Sequence, residues 1–243
     1  MKAMIFAAGL GSRLQPLTND CPKALVKVNQ KPLLQHCIEK LKSAGVKEII
    51  VNVHHYADMI EVFLQTNDYF GIRIEISDER KMLLDTGGGL KKAAWFFDDH
   101  QPFLLHNVDI FSNIDLLALY DYHLKSNTLV TLACNGRNSS RYFLFDHMLR
   151  LCGWENIKTG EQKLAYSSSL KALRRLAFGG IHVVDPAIFP MMPSGEKFSI
   201  IDSYLRIMQQ HVIMAYTSSS LQFLDLGKLK NLELFEKYDP SLF

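Results

Sequence analysis

Cysteine is scarce. Cys21, Cys37, Cys134 and Cys152 are the four in 243 residues. They form neither a CxxC pair nor a Cys/His finger spacing, which excludes a thiol zinc finger and a redox dithiol and fits isolated reduced thiols. Excess charge is also missing. The 27 Lys and Arg against 25 Asp and Glu leave a formal net charge of +2, so there is neither a basic stripe for nucleic acid nor an acidic tail. Any charge used in function must be local. No run approaches the ~18 apolar residues that span a bilayer, and residues 1–8 are too short for a signal peptide core. A cytoplasmic protein with no nucleic-acid or membrane partner is expected. Repeats are absent, and low complexity is confined to residues 218–220. What remains is 48% hydrophobic, enough for one sizeable core.

Apolar, β-rich runs at 4–8, 48–53, 72–76, 103–106 and 129–133 alternate with helical patterns at 32–44, 56–64, 88–97 and 114–125. In the first helix Leu33, Leu34, Cys37, Ile38 and Leu41 share a face, and Gly45 ends it. Continuous apolar strands separated by helices predict an α/β fold, a doubly wound and mainly parallel sheet covered on both faces. Ligands of such sheets sit beyond the carboxyl ends of the strands. The unusual residues cluster there: Gly9 after the first strand, 78–89 after a middle one, Asn107 and Asp109 after another. The second half differs. Strands at 142–145 and 150–154 read as antiparallel, and 159–170 as an exposed, mobile hairpin or loop. Further strands follow at 176–184, 212–216 and 221–224, with helices at 200–209 and 228–238. No linker or composition break divides the chain.

Gly9-Leu10-Gly11-Ser12-Arg13 follows the first strand directly. Glycines there permit positive φ and let backbone N–H groups approach a phosphate. The loop is not a P-loop, and Leu14 stands where a dinucleotide fingerprint needs its third glycine. Alone, it reads better as a plain tight turn. Arg13, Pro16-Leu17-Thr18 and Pro22-Lys23 then extend one long segment without helical or strand pattern, and such loops are usually functional. Two cations beside a glycine turn suit a triphosphate, the arginine as a planar fork and the lysine as a point charge.

Asp109 ends an apolar strand, placed for a hard cation that takes one or two carboxylates and completes its shell with phosphate and water. Asp225, in Phe223-Leu224-Asp225-Leu226-Gly227, is a second candidate and equally a helix N-cap; Asp115 is the rival cap near Asp109. Gly87-Gly88-Gly89 reads as a tight helix entry or as backbone that reads a base. Phe178-Gly179-Gly180-Ile181 fits a β-bulge as well as a binding strand. His54-His55 lacks partners at ligand spacing, the pairs Lys91-Lys92 and Arg174-Arg175 read as solvated faces, and Trp95-Phe96-Phe97 fits the end of a packed helix.

Ala7-Ala8-Gly9-Leu10-Gly11-Ser12-Arg13-Leu14-Gln15-Pro16-Leu17-Thr18 followed by Pro22-Lys23-Ala24-Leu25 resembles the signature of the sugar-phosphate nucleotidyltransferases. The likeness continues through Lys31-Pro32-Leu33 and Ala44-Gly45 and can be followed, with gaps, to Leu232. These enzymes join a nucleoside triphosphate to a sugar 1-phosphate and release pyrophosphate. The resemblance implies one domain over 1–243, with a nucleotide-binding half at 1–135, a sugar-binding half at 136–243 and a small antiparallel subsheet on the sugar side. It implies Arg13 and Lys23 as catalytic cations and Asp109 with Asp225 as ligands of Mg2+. Ala7, Ala8, Gly9, Gly11, Ser12, Asp85, Thr86, Gly87 and Gly88 would meet the nucleotide. Asn107, Glu155 and Gly180 would meet the sugar.

Asp78-Glu79-Arg80 with Leu84-Asp85-Thr86-Gly87-Gly88-Gly89 most resembles the N-acetylmuramate 1-phosphate uridylyltransferases of cell-wall recycling, which points to UTP. One departure stands out. Where many relatives carry a Glu-Lys pair for the sugar phosphate, this chain has Glu155-Asn156, with Lys158 as a candidate replacement. Guanylyl or cytidylyl transfer to mannose 1-phosphate, heptose 1-phosphate or a phosphoalcohol shares the first motif. An inactive nucleotide-sugar-binding regulator would have lost the cations or carboxylates, and all four are present. A monomer or a homodimer is expected.

Overall fold

The computed structural model describes residues 1–165 and 173–235. In chain order the elements are β1 (Lys2–Phe6), β2 (Lys27–Val28), β3 (Lys31–Pro32), α1 (Leu33–Ser43), β4 (Glu48–Val53), α2 (Ala57–Thr66), β5 (Arg73–Asp78), α3 (Asp85–Lys92), β6 (Phe103–Asn107), β7 (Ile110–Ser112) and α4 (Leu116–Ser126). The second half adds β8 (Val130–Asn135), β9 (Arg141–Phe145), β10 (Leu151–Asn156), β11 (Glu161–Leu164), β12 (Arg174–Val184), α5 (Ile200–Ile207), β13 (Ile213–Tyr216), β14 (Phe223–Asp225) and α6 (Leu229–Phe235).

The central strands run parallel in the order β5-β4-β1-β6. Their side chains alternate between two apolar layers, as period-2 geometry requires. Ala3 and Ile5 of β1, Ile49 and Val51 of β4 and Leu104 of β6 pack with α1, α2 and α4 on one face. Met4, Ile50 and Leu105 pack with Leu90 of α3 and Ile200, Tyr204 and Leu205 of α5 on the other. This two-sided burial explains why the strands read as unbroken apolar runs.

β12 turns the parallel sheet into a mixed one. Residues 181–184 pair antiparallel with β6, while 174–176 pair with β9. β9, β10 and β11 continue the same sheet antiparallel, and β8 joins β12 to the parallel strand β13. The sugar-side subsheet foreseen from sequence is thus continuous with the main sheet. The register of β12 against β8 shifts between Phe178 and His182, which is the bulge foreseen at the glycine pair.

One expectation changes, and two others run partly outside the described residues. The third helix starts at Asp85, so the glycine triplet lies inside it, and it ends at Lys92 with a 3₁₀ turn over Ala94–Phe96. Tertiary packing overrides the poor helix propensity of glycine here. Of the hairpin or loop expected at 159–170, the described part is the second strand of a hairpin, β11 paired antiparallel with β10, and the stretch beyond residue 165 lies outside the described residues. The closing helix is described over Leu229–Phe235; residues 236–238 of the expected span lie outside them.

Candidate active site

β1 delivers the phosphate loop at the carboxyl end of the sheet. Ala7 and Ala8 are buried there, and their N–H groups donate to Asn52 Oδ1 on β4, at 2.7 and 3.3 Å. Gly11 has φ 68°, and a Cβ on it would lie 2.9 Å from Thr18 Cγ2. Thr18 Oγ1 donates to Gly11 O at 2.9 Å, so the loop is folded on itself. A Cβ on Gly9 would meet nothing within 4 Å; that glycine keeps open space above the loop. Ser12 opens a single exposed 3₁₀ turn over Ser12–Leu14, anchored by the buried Leu14.

The charged residues converge from three elements. Lys23 Nζ donates to Asp109 Oδ2, with both side chains largely buried. β7 and β14 form a small antiparallel ladder in which Asp225 pairs with Ile110, and Leu226 N donates to Asp109 O at 2.8 Å. That ladder sets Asp225 beside Asp109 although 116 positions separate them in sequence. Asp225 Oδ1 accepts from Gly227 N at 2.8 Å, a turn contact and not a helix cap, because α6 begins later. Its Oδ2 stands 3.8 Å from Arg13 Nη1 and 3.8 Å from Lys228 Nζ. Asp115 caps α4 by accepting from Ala118 N at 2.9 Å, which leaves Asp109 free of that task.

A Cβ on Gly227 would run into Asp109 Oδ2, would lie 2.8 Å from Asp225 Oδ1 and would lie 2.9 Å from Lys23 Nζ. The glycine therefore opens a cradle between two carboxylates that already accommodates one cation, the lysine ammonium. Two acidic oxygen donors with room for phosphate and water suit a hard divalent ion. Among the described residues no three His, Cys, Asp or Glu gather as a complete metal set. Such an ion would need ligands from a substrate.

Two adjoining cavities of about 340 Å³ each lie here, and the first opens onto this charge cluster. The first lies over Gly9, Arg13, Lys23, Asn52 and Asp109. The second lies between Tyr142, Trp154, Phe178 and Ile201. Phe6, Asp85, Thr86 and Asn107 belong to both. Asp85 holds a left-handed φ of 61°, a conformation Asp tolerates better than most residues and one that tends to collect at binding sites.

Some sequence candidates stand elsewhere. Gly87 and Gly88 are buried, and their N–H groups both donate to Phe198 O, at 2.9 and 3.2 Å. A Cβ on Gly87 would strike the Phe198 ring and one on Gly88 the Glu196 carbonyl. In the structure these glycines let the segment before α5 lie flush on α3. Gly180, at φ 77°, would place a Cβ 2.9 Å from Asn107 Nδ2, so it lets β12 pass closely behind Asn107. Glu155 points away from the second cavity. Its side chain is 3% exposed, is gripped by Nε and Nη2 of Arg175 and accepts from Gln162 Nε2 at 3.2 Å. Arg175 is thus the partner of a buried carboxylate and not merely part of a solvated face. Lys91, from the other basic pair, donates to Pro193 O at 2.7 Å and helps fasten the same segment.

Sequence reasoning gave no individual role to three side chains, Asn52, Glu79 and Arg137. Glu79 is 1% exposed, accepts from Asn52 Nδ2 at 2.7 Å and from Leu84 N at 3.0 Å, and lines the first cavity with Asn52. Burial pushes its carboxyl above the usual range, although both hydrogen bonds pull it back. Arg137 donates to Phe178 O at 2.8 Å and lies over the Phe223 ring, near enough to Asp225 for its charge to be felt; burial lowers its pKa. A lone Asn inside a strand and an Arg beyond one carry no local signal. Only a spatial partner makes them meaningful.

Residues 2–143 match the family described as Nucleotidyl transferase. The chain belongs to that family. Among curated relatives, the N-acetylmuramate alpha-1-phosphate uridylyltransferase of Caulobacter vibrioides is 32% identical over 213 residues, 84% of this chain and 83% of the relative. The D-glycero-alpha-D-manno-heptose 1-phosphate guanylyltransferase of Campylobacter jejuni is 31% identical over 82% of each chain. The crystal structure of HddC from Yersinia pseudotuberculosis complexed with GMP-PN superposes with a TM-score of 0.78 at 22% identity, covering 97% of this chain and 98% of that one. The shared fold of this nucleotidyl transferase is therefore established over almost its whole length.

Proposed function

We propose that this nucleotidyl transferase moves a uridylyl group from UTP to a sugar 1-phosphate, giving a nucleotide sugar and pyrophosphate. The observation that carries the reaction type is the meeting of Arg13, Lys23, Asp109 and Asp225 around Gly227, beneath the Gly9 loop. UTP is supported by the uridylyltransferase relative that matches over most of both chains. In this reading residues 1–135 hold the nucleotide and 136–243 form most of the sugar side.

An oxygen of the sugar 1-phosphate attacks the α-phosphorus in line. The new P–O bond forms as the bond from the α-phosphorus to the α,β-bridging oxygen breaks, and that oxygen leaves with pyrophosphate. No covalent nucleophile on the protein takes part. Positioning and charge stabilisation supply the rate. Backbone N–H groups around Gly9 and Gly11 cradle the triphosphate. Arg13 offsets the charge of the leaving pyrophosphate, and Lys23 contacts the phosphates at the reacting centre. Asp109 and Asp225 would hold a Mg2+ ion, which would supply Lewis-acid neutralisation of phosphate charge. Thr86 and Asp85 lie against the base, and Asn107, where the cavities meet, orients the sugar phosphate.

The similarly covered heptose relative favours guanylyl transfer as the second reading. Both are tested by one matrix: UTP, GTP, CTP and dTTP against a panel of sugar 1-phosphates, with and without Mg2+, following pyrophosphate release. UTP-dependent release that needs Mg2+ supports the proposal. GTP-dependent release moves it to the second reading, and no release from any pair sinks the reaction class.

A further inference from the structure

The family-like Glu-Lys pair is incomplete here. Asn156 carries no charge, Arg175 is committed to Glu155, and Lys158 lines neither cavity. Yet an incoming phosphate must approach a triphosphate of the same sign, and a positioned cation is the ordinary way to offset that repulsion.

One lysine of the second half stands in the right place. Lys197 lines the first cavity together with Arg13, Lys23 and Asn107. Lys23 and Arg13 face Asp109 and Asp225, but the Lys197 ammonium has no hydrogen-bond or ion-pair partner among the described residues. Its backbone is nevertheless fixed. Phe198 N donates to Leu84 O at 3.2 Å, Phe198 O accepts from Gly87 and Gly88, and Ile200 N donates to Thr86 Oγ1 at 3.0 Å. The next residues along, Ser199, Ile200 and Ile201, wall the second cavity. Lys197 therefore belongs to the first cavity, on a segment whose following residues turn to line the second.

We infer that Lys197 is the cation that binds the phosphate of the acceptor sugar, replacing the lysine absent at position 156. The inference rests on the reaction proposed above and adds a binding residue to it. The triphosphate already has Arg13 and Lys23 from the first half; Lys197, brought to the same cavity by the second half, is the cation left for a second phosphate. The tight docking of residues 196–198 on Gly87 and Gly88 then has a purpose, because it holds a flexible side chain's base still at the wall of the first cavity.

Steady-state kinetics of Lys197→Ala, Lys197→Gln and Lys197→Arg test this. Loss of one charge-assisted contact predicts a KM for the sugar 1-phosphate raised roughly 10- to 100-fold. The KM for the nucleoside triphosphate and the Tm should stay at wild-type values, and Lys197→Arg should recover part of the loss. Calorimetric titration of wild type and Lys197→Gln with the sugar 1-phosphate reads the same contact without turnover. Unchanged constants in Ala and Gln variants overturn the inference, as does a rise confined to the triphosphate KM. A wild type inactive with every pair in the matrix would sink the proposed reaction. A working wild type matched by Lys197→Ala would sink only the role of Lys197.

Discussion

Asn52 and Glu79 form a buried pair that ties two parts of the first cavity together. Asn52 Nδ2 donates to Glu79 Oε1 at 2.7 Å, while Asn52 Oδ1 accepts from the first residues of the phosphate loop. The second oxygen of Glu79 holds Leu84, at the start of the segment carrying Asp85 and Thr86. A Cβ on Gly89 would lie 2.6 Å from Glu79 Oε1, so that glycine is what leaves room for the pair.

Asn52→Ala should therefore act on both stability and nucleotide binding. It strips the partner from Ala7 N and leaves Glu79 Oε1 without a donor, and each unsatisfied buried group costs about 1–3 kcal/mol. Tm should fall and the KM for the triphosphate should rise, with the KM for the sugar 1-phosphate little changed. Equal shifts in both KM values would show a general loss of fold and not a loop-positioning role.

Gly227→Ala should abolish most activity with little loss of fold. The new methyl would occupy the space shared by Asp109, Asp225 and Lys23. We expect a fall in kcat on the order of 10²–10³, the usual scale for losing a charge-stabilising group, together with weaker binding of Mg2+ or Mn2+ by titration. Asp109→Asn should show the same two changes. Wild-type metal affinity in either variant would argue against the cradle.

Gly88→Ala should instead be a stability variant. Its Cβ would collide with the Glu196 carbonyl, a backbone atom that cannot swing aside. Overpacking of this kind costs about 1–3 kcal/mol, readable as a lower urea midpoint. Because the displaced segment carries Lys197, the KM for the sugar 1-phosphate should rise as well.

Arg175→Ala leaves the buried Glu155 carboxylate with Gln162 as its one side-chain partner among the described residues. Tm should fall. Adding Glu155→Gln in that background should restore part of it, since the unpaired charge is then removed. A double variant less stable than Arg175→Ala would mean that the carboxylate is stabilised by something other than the arginine.

Acid should destabilise the fold through three buried histidines. Burial holds His106 and His123 down to about 4 and His182 to about 3. A depressed folded pKa means that stability is fully present above the ordinary histidine value of 6.5 and is lost as pH falls toward 4. Glu79 acts oppositely, because its raised pKa means that stability falls as pH climbs from its ordinary value of 4.5. Three strongly shifted groups against one should win, so Tm should decline from pH 7 to pH 4. Glu79→Gln should steepen that decline.

The sequence by itself determined a good deal. Strand periodicity, the Gly9 loop with Arg13 and Lys23, and the carboxylate at the end of β6 are local patterns, and local patterns survive in one dimension. They located the sheet, its ligand-bearing edge and the reaction class. The structure alone decided what depends on residues far apart in the chain. It put Asp225 beside Asp109 through the β7–β14 ladder, paired Glu155 with Arg175, and turned Gly87 and Gly88 into a docking surface for residues 196–198. Asn52 and Lys197 had no motif to announce them. Their roles come from the directions in which folded strands and helices aim side chains, and those directions exist only once the chain has closed on itself.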